Sequence, residues 1–152
     1  MIILGELSDF SDFERAKLIS ACKLVNQCLV DPVFLARLQG ANFHNAGDSN
    51  AAVIAKLTAN GTIMRLYCEN MGWWANHVSH TIALEEPDGT VTFNRRYFDN
   101  QSIPSLANTL FHEYAHVCGY SHVSARDSTS VPYLAGNLLE AYAKSILNSP
   151  IS

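Results

Sequence analysis

The stretch from His112 to His122 limits the fold of this chain more than any other. It reads His112-Glu113-Tyr114-Ala115-His116-Val117-Cys118-Gly119-Tyr120-Ser121-His122. On a helix, residues four apart are close neighbours on one face, so the imidazoles of His112 and His116 can both reach one ion at about 2.0–2.1 Å. Glu113 is turned about 100° around such a helix from His112, which suits a group that holds a metal's water rather than the metal. Gly119 admits the left-handed conformation that ends a helix, so the chain can turn back and present His122 as a third ligand. Three protein ligands leave a fourth position open, as in catalytic rather than structural zinc sites. Two histidines alone could be surface or core-satisfied residues of an ordinary helix. The glutamate, the glycine and the third histidine at fixed offsets argue against that reading.

The pattern around this stretch predicts where the helix sits. Asp99-Asn100-Gln101-Ser102 followed by Ile103-Pro104 places its start at about residue 103. Leu106, Leu110, Tyr114 and Val117 form one side, and Ala107, Phe111, Ala115 and Cys118 form the neighbouring side. A helix apolar around most of its circumference belongs in the core. The remaining stripe, Ser105, Thr109, His112 and His116, is then where solvent must enter.

Elsewhere the chain alternates helix and strand signals. Ser11-Asp12-Phe13-Glu14 is a capping box, and Leu18, Ala21, Cys22, Val25, Cys28 and Leu29 repeat at three and four, giving a first amphipathic helix. Asp31-Pro32 opens a second short helix that runs to about Gln39, and Asp48 or Ser49 caps a third through about Ala59. Thr62 to Cys68 is a strand, and Glu69 to Asn76 is a loop whose Trp73 and Trp74 either plug the core edge or line a groove. Val78 to Glu85 and Thr90 to Asn94, joined by Glu86-Pro87-Asp88-Gly89, read as a hairpin that continues to Phe98. A last helix runs from about Val131 to Leu147, capped by Ser130 with Pro132 in its first turn. Its stripe of Tyr133, Asn137, Glu140 and Lys144 faces either solvent or the metal.

At 152 residues the expectation is a single domain, 1–152, with a core large enough to need no staples. A net charge of -4 with scattered Lys and Arg gives no footprint for nucleic acid. Cys22, Cys28, Cys68 and Cys118 include no close metal-binding pair and read as buried free thiols, which favours a reducing compartment. Met1 to Leu7 is too short for a signal peptide, and no apolar run approaches 18 residues, so neither a leader nor a membrane span is expected. That places the chain in the cytoplasm, or outside it by a non-classical route or as a piece of a longer exported protein.

His112, Glu113, His116, Gly119 and His122 together resemble the extended zinc motif of the metzincin metallopeptidases. The resemblance implies a small α+β, zincin-like domain with N-terminal helices, a small mixed sheet, a cleft beside an edge strand, a central zinc-binding helix and a C-terminal helix below the metal. It also implies one catalytic zinc ion on His112, His116 and His122, and a peptide or protein substrate. Metzincins carry a methionine in a tight turn below the metal, whereas this chain has none after Met71. Ser130-Val131-Pro132-Tyr133 stands at the corresponding stage and ends in a tyrosine, as that turn does in the astacin-like branch. Tyr133 is thereby a candidate metal neighbour or oxyanion donor, or else a tyrosine packed in a helical turn. The gluzincins share the motif as far as His116 but take a glutamate from a later helix as third ligand. Glu140 stands 24 residues beyond His116 on such a helix. His122 is preferred, because a ligand delivered from beyond a helix end requires the glycine and a helical glutamate does not.

The chemistry expected of such a site is peptide-bond hydrolysis, with Glu113 as general base and acid and Tyr133 as oxyanion donor. Two rival classes remain at this level: a toxin or effector that cleaves one target protein, and a non-catalytic module that uses zinc only for stability.

Overall fold

The computed structural model describes residues 1–44, 47–59, 61–72, 82–85, 90–122 and 127–148. Four strands and six helices lie within them: β1 (Ile2–Ser8), α1 (Asp12–Cys28), α2 (Pro32–Gln39), α3 (Asn50–Thr58), β2 (Thr62–Glu69), β3 (Ala83–Glu85), β4 (Thr90–Asn94), α4 (Arg95–Phe98), α5 (Ile103–Val117) and α6 (Val131–Leu147). The sheet has the order β1-β2-β4-β3. β1 and β4 both run parallel to β2, while β3 pairs antiparallel with β4 through Ala83↔Phe93, Leu84↔Thr92 and Glu85↔Val91. The class is mixed α and β, with β3 a short antiparallel edge.

Local chemistry sets most of these boundaries. Both halves of the capping box form at α1: Ser11 Oγ accepts from Glu14 N at 3.3 Å, and Glu14 Oε2 accepts from Ser11 N at 2.6 Å. Asp31 caps α2 and Ser49 caps α3, each through its side chain. In β2, Met64, Leu66 and Cys68 are fully buried while Ile63 and Arg65 are exposed, so one face of the strand meets the core. α5 packs on α1 and α6 and reaches β3, with Leu106, Ala107, Leu110, Phe111, Tyr114 and Ala115 all fully buried. Tyr114 donates its hydroxyl to the Leu57 carbonyl at 3.2 Å and so ties α5 to α3. Gly136 lets α6 close on α5, since a Cβ there would stand 3.2 Å from the Asn108 carbonyl oxygen. All these apolar residues belong to one connected core. Among the described residues, no single helix is long and apolar enough to cross a membrane.

The structure departs from the sequence reading in three places and leaves a fourth outside the described residues. Residues Ile2 to Ser8 form a strand where only a short apolar run was read; Ile2 is 3 % exposed and pairs with Thr62, so the run is buried by the sheet rather than by its own periodicity. The expected strand from Val78 is described only as Ala83–Glu85, and Trp73, Trp74 and the turn from Glu86 to Gly89 lie outside the described residues. Arg95 to Phe98 is a single helical turn rather than a continued strand, because the Asn94 side chain caps it by accepting from Arg96 N. Ser130 stands at the start of α6 but makes no side-chain cap; its hydroxyl donates to the Asp127 carbonyl at 2.8 Å.

One buried ion pair joins four elements. Arg95 Nε donates to Glu14 Oε1 at 2.8 Å, and its Nη2 donates to the carbonyls of Cys68, at 3.2 Å, and Asp9. The beginnings of α1 and α4 are thus fastened to the ends of β1 and β2. Burial alone would raise the Glu14 pKa, but the hydrogen bonds from Ser11 and Arg95 outweigh it and hold the carboxyl at about 2, below its ordinary 4.5. A group depressed in the folded state contributes stability above its unfolded pKa and loses it as pH falls toward the folded value. Glu14→Gln is therefore expected to cost roughly 1–2 kcal/mol at pH 7, less than the full shift because Arg95 is partly solvated and Gln can still accept from Ser11 N. In urea unfolding at a series of pH values, the gap between wild type and variant should close between about pH 4.5 and 2.

Candidate metal centre

The two helical histidines rise from successive turns of α5, on its one incompletely buried stripe. His116 Nδ1 lies 2.8 Å from the Tyr120 carbonyl oxygen. A carbonyl only accepts, so Nδ1 carries the proton and Nε2 keeps its lone pair. His112 is likewise bonded to the backbone of Pro132, which has only a carbonyl to offer, so the imidazole is again the donor. The Nε2 atoms of the two rings face each other at 3.2 Å. Two nitrogens about 2.05 Å from one tetrahedral ion would stand about 3.3 Å apart.

His122 arrives through the turn that Gly119 makes. Gly119 has φ +90°, its N–H donates to the His116 carbonyl at 2.7 Å, and the Tyr120 N–H donates to the Ala115 carbonyl at 3.1 Å. These two bonds are the Schellman pair that ends a helix at a left-handed residue. Nothing lies within 4 Å of a Cβ placed on Gly119, so the demand for glycine is conformational rather than steric. The turn brings the His122 ring centroid to 5.4 Å from that of His112 and 5.0 Å from that of His116. One ligating atom from each of the three histidines lies within 4.8 Å of the others, and the group is able to hold a metal ion.

The surroundings keep these rings ready to ligate. Burial, reinforced by the neighbouring His116 and His122, pulls the His112 pKa down to about 3, so the ring is neutral near pH 7. Burial and His116 also lower His122, against an opposing pull from Asp127. Glu113 is 6 % exposed. Tyr133 stands between two of the histidines, its ring centroid 4.5 Å from His112 and 4.8 Å from His122. Burial and the charge of Glu113 raise its pKa, so the phenol stays protonated and able to donate.

Glu140 is engaged elsewhere. Its Oε2 accepts from Asn108 Nδ2 at 2.7 Å and its Oε1 pairs with Lys144 at 2.7 Å. Of the polar stripe of α6, Tyr133 meets the histidines and the other members meet Asn108 or solvent. The sequence reading missed the two carbonyls, of Tyr120 and Pro132, that set the imidazole protons. Backbone acceptors carry no residue signature, although a proline beside a candidate site offers its carbonyl alone. A scan against models of protein families found none that matches, and searches of curated proteins and of solved structures returned no significant match.

Loading the apo protein with zinc and removing the excess separates the two candidate third ligands. His122→Ala is expected to lose the metal and Glu140→Ala to retain about one equivalent. The opposite pattern in elemental analysis would remove His122 from the site.

Proposed function

We propose that this chain is a zinc-dependent metallopeptidase of the metzincin kind, with one catalytic ion held by His112, His116 and His122. The convergence of three imidazoles beside the buried Glu113 supports this reading. The donor set fits the metal: neutral imidazole nitrogens suit zinc, whereas calcium and magnesium take oxygen ligands. Bound there, zinc would lower the pKa of a water from 15.7 to about 7 and polarise a carbonyl.

The chain's own residues do the rest. Glu113 follows His112 on the helix and acts as general base, taking a proton from the attacking water. It then delivers that proton to the departing amine nitrogen, so the products are a carboxylic acid and an amine. Tyr133, kept protonated beside Glu113, donates to the oxygen that gains negative charge as the carbonyl is attacked. β3 ends the described sheet and packs on α5, the helix that carries His112 and His116, so its free edge is a candidate place for an extended substrate peptide.

Two substitutions test the roles. Glu113→Gln keeps the shape of the side chain and loses the base, so hydrolysis of an unstructured protein such as casein should fall below detection while about one zinc stays bound. Retained hydrolysis in that variant would refute the mechanism. Tyr133→Phe is expected to lower kcat by roughly 10²–10³-fold, the effect of removing one oxyanion donor, with KM little changed.

A further inference from the structure

Three converging histidines need the loop that carries the third to be held still, and Tyr120 sits in the middle of that loop. Its N–H closes the end of α5 onto Ala115, and its carbonyl accepts the Nδ1 proton of His116 at 2.8 Å. The residue is only 6 % exposed. Its hydroxyl leaves the core to donate to Asp48 Oδ2 at 3.0 Å. The same oxygen accepts from Lys56 Nζ at 2.7 Å, and that ammonium stands 5.1 Å from the Tyr120 ring centroid. Asp48 lies just ahead of α3 and Lys56 within it, yet the side-chain cap of α3 is made by Ser49. The Asp48 carboxylate is therefore free to serve Tyr120.

We propose that Asp48 and Lys56 form an outer tether that makes Tyr120 the positioning residue of the metal centre, fixing the tautomer of His116 and the path of the chain from Gly119 to His122. This rests on the three-histidine centre proposed above and adds how it is kept in register. One peptide unit links two ligands: its carbonyl sets one imidazole, and two residues later the chain supplies the other. A rotation of that peptide would release His116 Nδ1 and move His122 together. The ring of Tyr120, pinned by a carboxylate and covered by an ammonium, opposes the rotation from α3, which contributes no ligand. Residues that orient metal ligands typically change affinity by about 10–100-fold when they are replaced.

The structure also holds a matched control. Tyr142 donates to Asp31 Oδ2 at 2.5 Å, the same pairing at a place with no hydrogen bond to a histidine. Co²⁺ titration of the apo protein, read by d–d absorption, should show Tyr120→Phe binding about tenfold more weakly than wild type and with an altered band. Asp48→Ala, which leaves the ring in the core, should do the same and decides the matter should Tyr120→Phe not fold. Tyr142→Phe should bind Co²⁺ as wild type does, whatever stability it loses in parallel urea unfolding. Wild-type affinity and spectrum in the Tyr120→Phe and Asp48→Ala proteins would overturn the tether, as would an equal weakening in Tyr142→Phe. A wild-type protein that takes up no Co²⁺ would instead overturn the metal centre itself.

Discussion

A helix buried around most of its circumference can offer only one narrow stripe for chemistry, and that constraint governs α5. Its apolar residues are committed to α1, α3 and α6, which holds the stripe of Thr109, His112 and His116 at a fixed height above the core. The helix must then stop within a turn of His116, or its next residues would carry the chain away from the stripe. Gly119 provides the stop at φ +90°, and the two Schellman bonds make it abrupt. The convergence of the three histidines is a consequence of how one helix is packed and how it ends.

The surroundings of the histidines serve the same purpose by different means. Backbone carbonyls from two elements, at Tyr120 after α5 and at Pro132 in the first turn of α6, take the imidazole protons. Close packing keeps His112 neutral, and Glu113 helps keep the Tyr133 phenol protonated. A neutral His112 and a protonated Tyr133 thus stand beside the buried Glu113. The thiols stay protonated near neutral pH. Burial pushes Cys28 up to about 11, and burial with the adjacent Glu14 charge pushes Cys68 up to about 12, so neither offers a thiolate to a metal.

Much of this was legible in the chain because the signals were local. The capping box at Ser11 and Glu14, the Asp31-Pro32 start and the apolar spacing of α5 each depend on residues within a turn or two, and each formed where the pattern put it. What escaped depended on partners distant in sequence. Ile2 to Ser8 has no alternation, and becomes a strand only because β2, some sixty residues on, offers an edge. Asp48 and Ser49 both read as caps for α3; Ser49 takes that role, and the bond from Tyr120 to Asp48 spans 72 positions that no local pattern announces. Ser130 has the right residue type for a cap and instead bonds backward to Asp127. The Arg95 clamp joins residues 81 positions apart, a separation at which residue type alone says nothing.

Zinc K-edge X-ray absorption of the stoichiometrically loaded protein reads the proposed centre itself, zinc on three imidazoles with a lighter nitrogen or oxygen donor in the fourth position. The expected first shell is nitrogen and oxygen at about 2.0–2.1 Å, with the multiple-scattering signature of three histidines and no sulfur. A shell containing sulfur at about 2.3 Å, or one with fewer than three imidazoles, would contradict it.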